Sequence, residues 1–278
     1  MMSRFDVVFA DTCLGGSTVA ARVAASGTGL RAFFLADYAI NPLGVKARDE
    51  VHAVLERWVR MAAACSGKLV VACNTASVLL AQSPDILAMA ESAGLRVLSM
   101  VDLLDRVLAA HDGAVSGKRV CLMGTRFTVS QPIYTDRLIR AGAAEVIPLA
   151  ATRTEATIAH LRHETAEGRA VILDEIGEIV RRADVVVLGC TLFPLIAPLV
   201  REINPHAALL DPAAGIDGLF SSANPAPNTL TLALTGNVMA LDEVRVQAPA
   251  LFPGWKVEEI GPTAACTCAP GAQQCRPR

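Results

Sequence analysis

Val70-Val71-Ala72-Cys73-Asn74-Thr75-Ala76-Ser77 and its echo, Leu188-Gly189-Cys190-Thr191-Leu192-Phe193-Pro194, decide how this chain is read. Each belongs to a short, mostly apolar run, residues 69–71 in one case and 185–188 in the other. Such runs fit strands buried on both faces of a parallel sheet. Each strand then stops at a small residue, followed by a Cys and by a Thr able to cap a following helix. A thiol so placed lies at the carboxyl end of a strand, where open α/β sheets bind ligands, and near a helix N-terminus. The positive helix end is expected to lower the thiol pKa from about 8.5 toward neutrality. Taken singly, Cys73 and Cys190 read equally well as core thiols, because free Cys is among the most buried residue types. The repeated context favours two acid–base groups facing one small ligand.

Working outward, composition narrows the function classes. The 278 residues are 53% hydrophobic and 19% charged, with a formal net charge of −2. That is ample for one large or two modest domains. The near-neutral balance and the lack of a basic run speak against a nucleic-acid partner. Mean hydropathy is +0.42, but Pro194 and Pro198 break the most membrane-like stretch, 185–200, so no membrane partner is expected. Met1-Met2-Ser3-Arg4 leads straight into a strand without a signal-peptide pattern, which points to the cytoplasm. The eight cysteines are dispersed, unlike a secreted disulfide framework. Cys121 lies in an apolar strand and reads as core. Cys65 ends a helix and reads as packing or surface. Cys266, Cys268 and Cys275 fall in a Pro/Gly/Ala-rich tail.

Strands alternate with helical segments along the whole chain. A strand over 5–10 ends in Asp11-Thr12-Cys13-Leu14-Gly15-Gly16-Ser17, before a helix over 18–25. Gly15 and Gly16 permit a tight turn with N–H groups free for a carboxylate or phosphate, or an ordinary strand-to-helix connection. Asp11 either orients a catalytic group or caps the helix. A strand over 32–36, a loop over 37–44 and an amphipathic helix over 46–64 precede the Cys73 strand. A helix broken near Ser83-Pro84, a strand over 95–100 and a helix over 101–110 follow it. The polar, small-residue segment 111–118 is a candidate linker. The pattern restarts at a strand over 119–124, with Thr125-Arg126-Phe127-Thr128 after it. Next come a helix to about 141, a strand over 145–149, and helices over 155–167 and 169–182. The Cys190 strand and its helix, a strand over 207–210, a further helix, a strand over 230–234 and a helix near 238–247 complete the fold. This alternation predicts an α/β fold of doubly wound, parallel-rich sheets. Residues 1–100 with 211–260 form the expected first domain, 101–210 the second, and 261–278 a disordered tail. His160 and His163, three apart on a predicted helix, read as a solvated face, since no third metal ligand is apparent. Nucleotide-binding glycine motifs are absent.

These motifs resemble those of the aspartate/glutamate racemase superfamily, its glutamate racemase branch in particular, over about residues 5–260. Asp11–Gly16 is similar to Asp-Ser-Gly-x-Gly-Gly, and Ala36-Asp37 with Pro42-Leu43-Gly44 to Ala-Asp…Pro-Tyr-Gly. Ala72–Ser77 matches Ala-Cys-Asn-Thr-Ala-Ser in full, and Gly189–Pro194 resembles Gly-Cys-Thr-His-Tyr-Pro. The resemblance implies two pseudo-symmetric α/β domains with the active site in the cleft between them. It implies a cofactor-free, metal-free racemase or epimerase of glutamate, aspartate or a close relative, with a homodimer expected. Cys73 and Cys190 would exchange protons with opposite faces of a small carboxylate substrate, assisted by Asp11. Thr12, Gly15, Gly16, Pro42, Gly44, Asn74, Thr75, Thr125, Thr128 and Thr191 would bind that substrate. The chain departs from the pattern at Leu192 for His, Leu43 and Phe193 for Tyr, Thr12 for Ser and Cys13 for Gly. A pocket made more apolar by Leu43, Leu192 and Phe193 is therefore expected. Cys190 is expected to be the less acidic thiol, lacking the imidazole. The same scaffold leaves two alternatives: a one-thiol isomerase, hydrolase or decarboxylase, and a silent small-acid-binding protein.

Overall fold

β1 (Val7–Asp11) is buried at all of its positions, which in a parallel sheet requires cover on both faces. It lies between β2 (Arg31–Asp37) and β3 (Lys68–Val71), with β4 (Arg96–Ser99) outside β3. β5 (Arg119–Gly124) repeats the arrangement between β6 (Glu145–Ala150) and β7 (Val185–Gly189), with β8 (Ala208–Leu210) outside β7. β9 (Thr229–Thr235) and β10 (Lys256–Pro262) extend the first sheet beyond β2. The structure, a computed structural model, describes residues 4–220, 224–236 and 241–262.

The strand orders are β10-β9-β2-β1-β3-β4 and β6-β5-β7-β8, all parallel. In each sheet the order reverses beside the first strand of the repeat, at β1/β3 and at β5/β7. Parallel sheets bind ligands outside the carboxyl ends of strands at such switch points. This is the α/β architecture that the alternating sequence pattern predicts.

Two helices fix the site's scaffold. Arg48–Cys65 buries Val51, Val54, Leu55, Trp58, Val59 and Ala62, the three-to-four spacing of one apolar helix face. Trp58 and Arg57 both donate to the buried carboxylate of Asp37 at the end of β2. Met100–Ala110 opens with a capping box between Ser99 and Asp102. Its Met100 and Leu103 pack into the core of the first sheet, while Val101, Leu104 and Val107 pack into that of the second. One helix thus belongs to both cores and holds the sheets in register.

Several sequence expectations are corrected. The helix expected over 155–167 is Thr152–Ala159, and a turn with Leu161 at φ 55° separates it from Ala166–Arg182. The hydroxyl of Thr165 caps the second helix by accepting the N–H of Gly168. His160 and His163 therefore do not share a helix face. After Cys190 comes a short 3₁₀ turn, Phe193–Ile196, and only then the helix Ala197–Ile203; Pro194 and Pro198 each remove an N–H there. Pro212–Ile216 is likewise a 3₁₀ turn, not an α-helix. β10 was not foreseen, and its last two residues lie in what reads as tail. Cys266, Cys268 and Cys275 lie outside the described residues.

Candidate active site

Asp11 ends β1, Cys73 stands two residues past β3, Thr125 follows β5, and Cys190 follows β7. The switch points thus deliver four polar side chains to one cleft, of about 1040 Å³, between the two sheets. The Cys73 turn is held by Ser77, whose hydroxyl donates to the carbonyls of Val71 and Cys73 and accepts the N–H of Met100. The sequence suggested threonine caps at both cysteine motifs. Instead Cys73 itself is the N-cap of Asn74–Ala81, with no side-chain cap bond, and both threonine hydroxyls turn elsewhere.

Asp11 is the hub of the site. Its carboxylate accepts the N–H groups of Thr12 and Gly16, each at 2.6 Å, and the hydroxyl of Thr191 at 3.2 Å. The neighbouring Cys73 thiol also favours its charged form. Asp11 therefore joins the loop of one sheet to the cysteine motif of the other; it is not the N-cap of the helix Ser17–Ser26, which is Gly16, without a side-chain cap bond. Burial raises its pKa from 3.8 to about 7, against the opposing pull of these bonds. Thr12 places its hydroxyl 3.7 Å from the Cys73 sulfur.

A second cluster offers donors. The Thr75 hydroxyl lies 3.0 Å from that of Thr125 and 3.3 Å from that of Thr128, and Thr125 lies 3.0 Å from Thr128. Asn74 beside it is buried, and its Oδ1 accepts the hydroxyl of the fully buried Tyr134. That bond leaves Asn74 Nδ2 buried without a partner. A buried amide N–H₂ without an acceptor is costly. Asn74, Thr75 and Thr125 line the cleft, as do Thr12, Gly15, Pro42, Gly44 and Thr191. Thr128 sits behind them, bonded to Thr75, and Gly16 also lies off the lining.

The Gly-Gly turn departs from expectation. The Gly15 N–H donates to Cys13 Sγ at 3.3 Å and the Gly16 N–H to Asp11, so neither is free. Both glycines are instead required for close approach. A Cβ on Gly15 would lie 2.7 Å from Thr191 Oγ1, and one on Gly16 would lie 2.8 Å from the Ala72 side chain.

The thiols also depart from expectation. Burial pushes Cys13, Cys73 and Cys190 well up rather than down. Loss of water on burial outweighs the helix end. Cys13 and Cys73 are raised further by the charge of Asp11, and Cys190 by that of Glu155. Cys121 is fully buried in the core, pushed up to about 12 by burial. Cys65 is buried.

Leu43 and Leu192 line the cleft as expected, but Phe193 is fully buried in the core of the second sheet and does not. Sequence reading missed Glu155, Tyr38, Tyr134 and Phe127. Glu155 is half-buried, lines the cleft and has its pKa raised by burial and by Glu175. Its place after β6, a strand end facing the cleft, was the available clue. The bond of Tyr134 across the two sheets has no local sequence mark. Among the described residues, no three His, Cys, Asp or Glu side chains group as a metal site needs. No described helix is long and apolar enough to cross a membrane.

Two doubly wound parallel sheets face each other across a cleft that is lined by a thiol from each, the arrangement of an α/β protein whose polar groups gather at strand ends. The Asp/Glu/hydantoin racemase family model matches residues 29–215, and the chain belongs to that family, an isomerase of the amino-acid racemase class. It is 25% identical over 216 residues to a glutamate racemase of Streptococcus equi subsp. equi, covering 77% of this chain and 79% of the relative. Glutamate racemase RacE1 of Bacillus anthracis shares its fold at a TM-score of 0.74 and 18% identity, over 93% of this chain and 98% of that one. The Francisella tularensis enzyme, solved with D-glutamate, matches at 0.73 and 14% identity, over 93% and 97%.

Proposed function

We propose that the chain interconverts the enantiomers of an amino acid without a cofactor, one thiol serving each face of the α-carbon. One observation carries this reading: Cys73 and Cys190, at equivalent strand ends of two repeated sheets, line the same cleft. The two sheets with their helices are taken as the two domains that form it. The substrate carboxylate takes the partnerless Asn74 amide together with the Thr75 and Thr125 hydroxyls.

Burial makes the thiols too weakly acidic to ionise alone, so each needs an acceptor. Asp11, with a carboxyl near neutrality, takes the Cys73 proton. The thiolate removes the α-proton, and Cys190 delivers its thiol proton to the opposite face. Cys73 ends as a thiol and Cys190 as a thiolate; Asp11 releases to solvent the proton it took, and Glu155, whose charge bears on Cys190, passes a proton from solvent back to that sulfur. Burial of both sulfurs limits their contact with water, and fixed donors hold the charge that develops on the carboxylate. A one-thiol isomerase, hydrolase or decarboxylase would leave Cys190 without a task. The relatives are named for glutamate, so an acidic amino acid is the substrate class carried over from them.

The test is incubation of the protein with a panel of amino acids in heavy water, with a chelator and no added cofactor, read by mass and chiral chromatography. Deuterium at the α-carbon with appearance of the opposite enantiomer is expected. No exchange with any member would overturn the reading.

A further inference from the structure

We infer that Arg126 is a specificity-determining residue, the cation that pairs with the second carboxylate of an acidic substrate. This deepens the reading above and rests on it. The α-carbon must lie between the thiols, and its carboxylate takes the Asn74–Thr75–Thr125 donors. An acidic amino acid then brings a second negative charge into the same cleft.

Much of the lining disfavours that charge. Asp11 and Glu155 are acidic, and Leu14, Ile158, Leu192 and Leu195 are apolar. The first two repel a carboxylate, and the others remove its water without replacing it. Against them stands one permanent cation. Among the described residues, Arg126 is the only Lys or Arg on the lining. Its guanidinium is exposed and makes no hydrogen bond or ion pair with a described residue. His160, the other basic side chain there, is exposed too, with Nδ1 bonded to the Ala156 carbonyl.

Position acts together with charge. Arg126 opens the segment Arg126–Ser130, which the Thr125 hydroxyl caps, so it directly follows one of the donors to the first carboxylate. On its other side Phe127 meets the turn at residues 42–44 of the first sheet. A Cβ on Gly44 would lie 2.6 Å from Phe127 Cβ. That turn and Asn41 also line the cleft, and the N–H groups of Leu43 and Gly44 have no partner among the described residues. Arg126 therefore stands where the two sheets meet, beside polar groups that carry no charge. Backbone N–H groups donate to a carboxylate or to the oxygen of a neutral amide. A guanidinium adds the charge that favours the carboxylate. Selection of an acidic side chain over a neutral one thus falls to Arg126.

The experiment follows racemisation of glutamate and aspartate by the wild type and by Arg126→Gln, which keeps a polar side chain and removes the charge, at low and at high NaCl. For the acid that the wild type turns over the faster, the variant is expected to raise KM about fivefold, the upper end of what an exposed ion pair supplies, with a smaller change in kcat. Added salt should raise the wild-type KM and leave that of the variant nearly unchanged. An unchanged KM in the folded variant, a loss confined to kcat, or equal salt dependence of the two proteins would overturn the inference and leave the two-thiol reading standing. So would a wild type that exchanges only neutral amino acids. Absence of exchange with every amino acid would overturn both.

Discussion

Replacing Asp11 by Asn should change how stability depends on pH, because Asp11 is a buried carboxyl moved from 3.8 to about 7. A carboxyl raised on folding binds its proton more tightly in the folded state. Its contribution is fully present below about pH 4 and is lost as pH rises through about 7. A shift of this size corresponds to roughly 4 kcal/mol, of which roughly 2 are already lost by pH 5. Asn cannot titrate. It can accept the Thr12 N–H, but it sets an amide N–H₂ against either the Gly16 N–H or the Thr191 hydroxyl. That cost, about 1–3 kcal/mol, is independent of pH. Urea unfolding of both proteins at pH 5 and pH 7.5 separates the two effects, since other titrating groups cancel in the difference. The wild type should be the more stable at pH 5, and its advantage should shrink by about 2 kcal/mol at pH 7.5. Parallel profiles, with a constant gap, would refute the claim that burial dominates the carboxyl at the hub of the site.

Gly15→Ala should cost about 1–3 kcal/mol in urea unfolding and lower activity, because the new Cβ would meet Thr191 and Leu192 across the cleft. Cys121→Ser should lower the unfolding midpoint while leaving racemisation intact, since Cys121 is fully buried away from the cleft; a loss of turnover in the folded variant would refute that. Leu192→His places an imidazole in the segment next to Cys190, whose pKa burial now holds up. Alkylation of Cys190 should then proceed at lower pH than in the wild type, measured by labelling and mass spectrometry.

The strand ends were legible because parallel strands are continuous apolar runs, and the runs that end in Ala72-Cys73 and Gly189-Cys190 stop at small residues. The same local rule placed Asp11 and Thr125 at strand ends. What stayed hidden depends on distant partners. The hydroxyl of Thr75 meets Thr125, 50 residues on, and that of Thr191 meets Asp11, 180 residues back. Local reasoning assigned both to helix caps. The acidity of the thiols was misjudged because the helix end is visible in sequence while the burial of each sulfur is not. β10 was hidden because Glu258 and Glu259 interrupt its apolar pattern, where the register to β9 shifts. His160 looked helical until Leu161, in a left-handed conformation, ended the segment.

The most direct test of two-thiol proton transfer is α-hydrogen exchange in heavy water by Cys73→Ser and Cys190→Ser, each supplied separately with the two enantiomers of whichever amino acid the wild type racemises. Each variant should lose complete racemisation by roughly 10²-fold or more. Cys73→Ser should retain exchange of one enantiomer only, and Cys190→Ser of the other. A variant that still racemises near the wild-type rate would contradict the assignment of one thiol to each face.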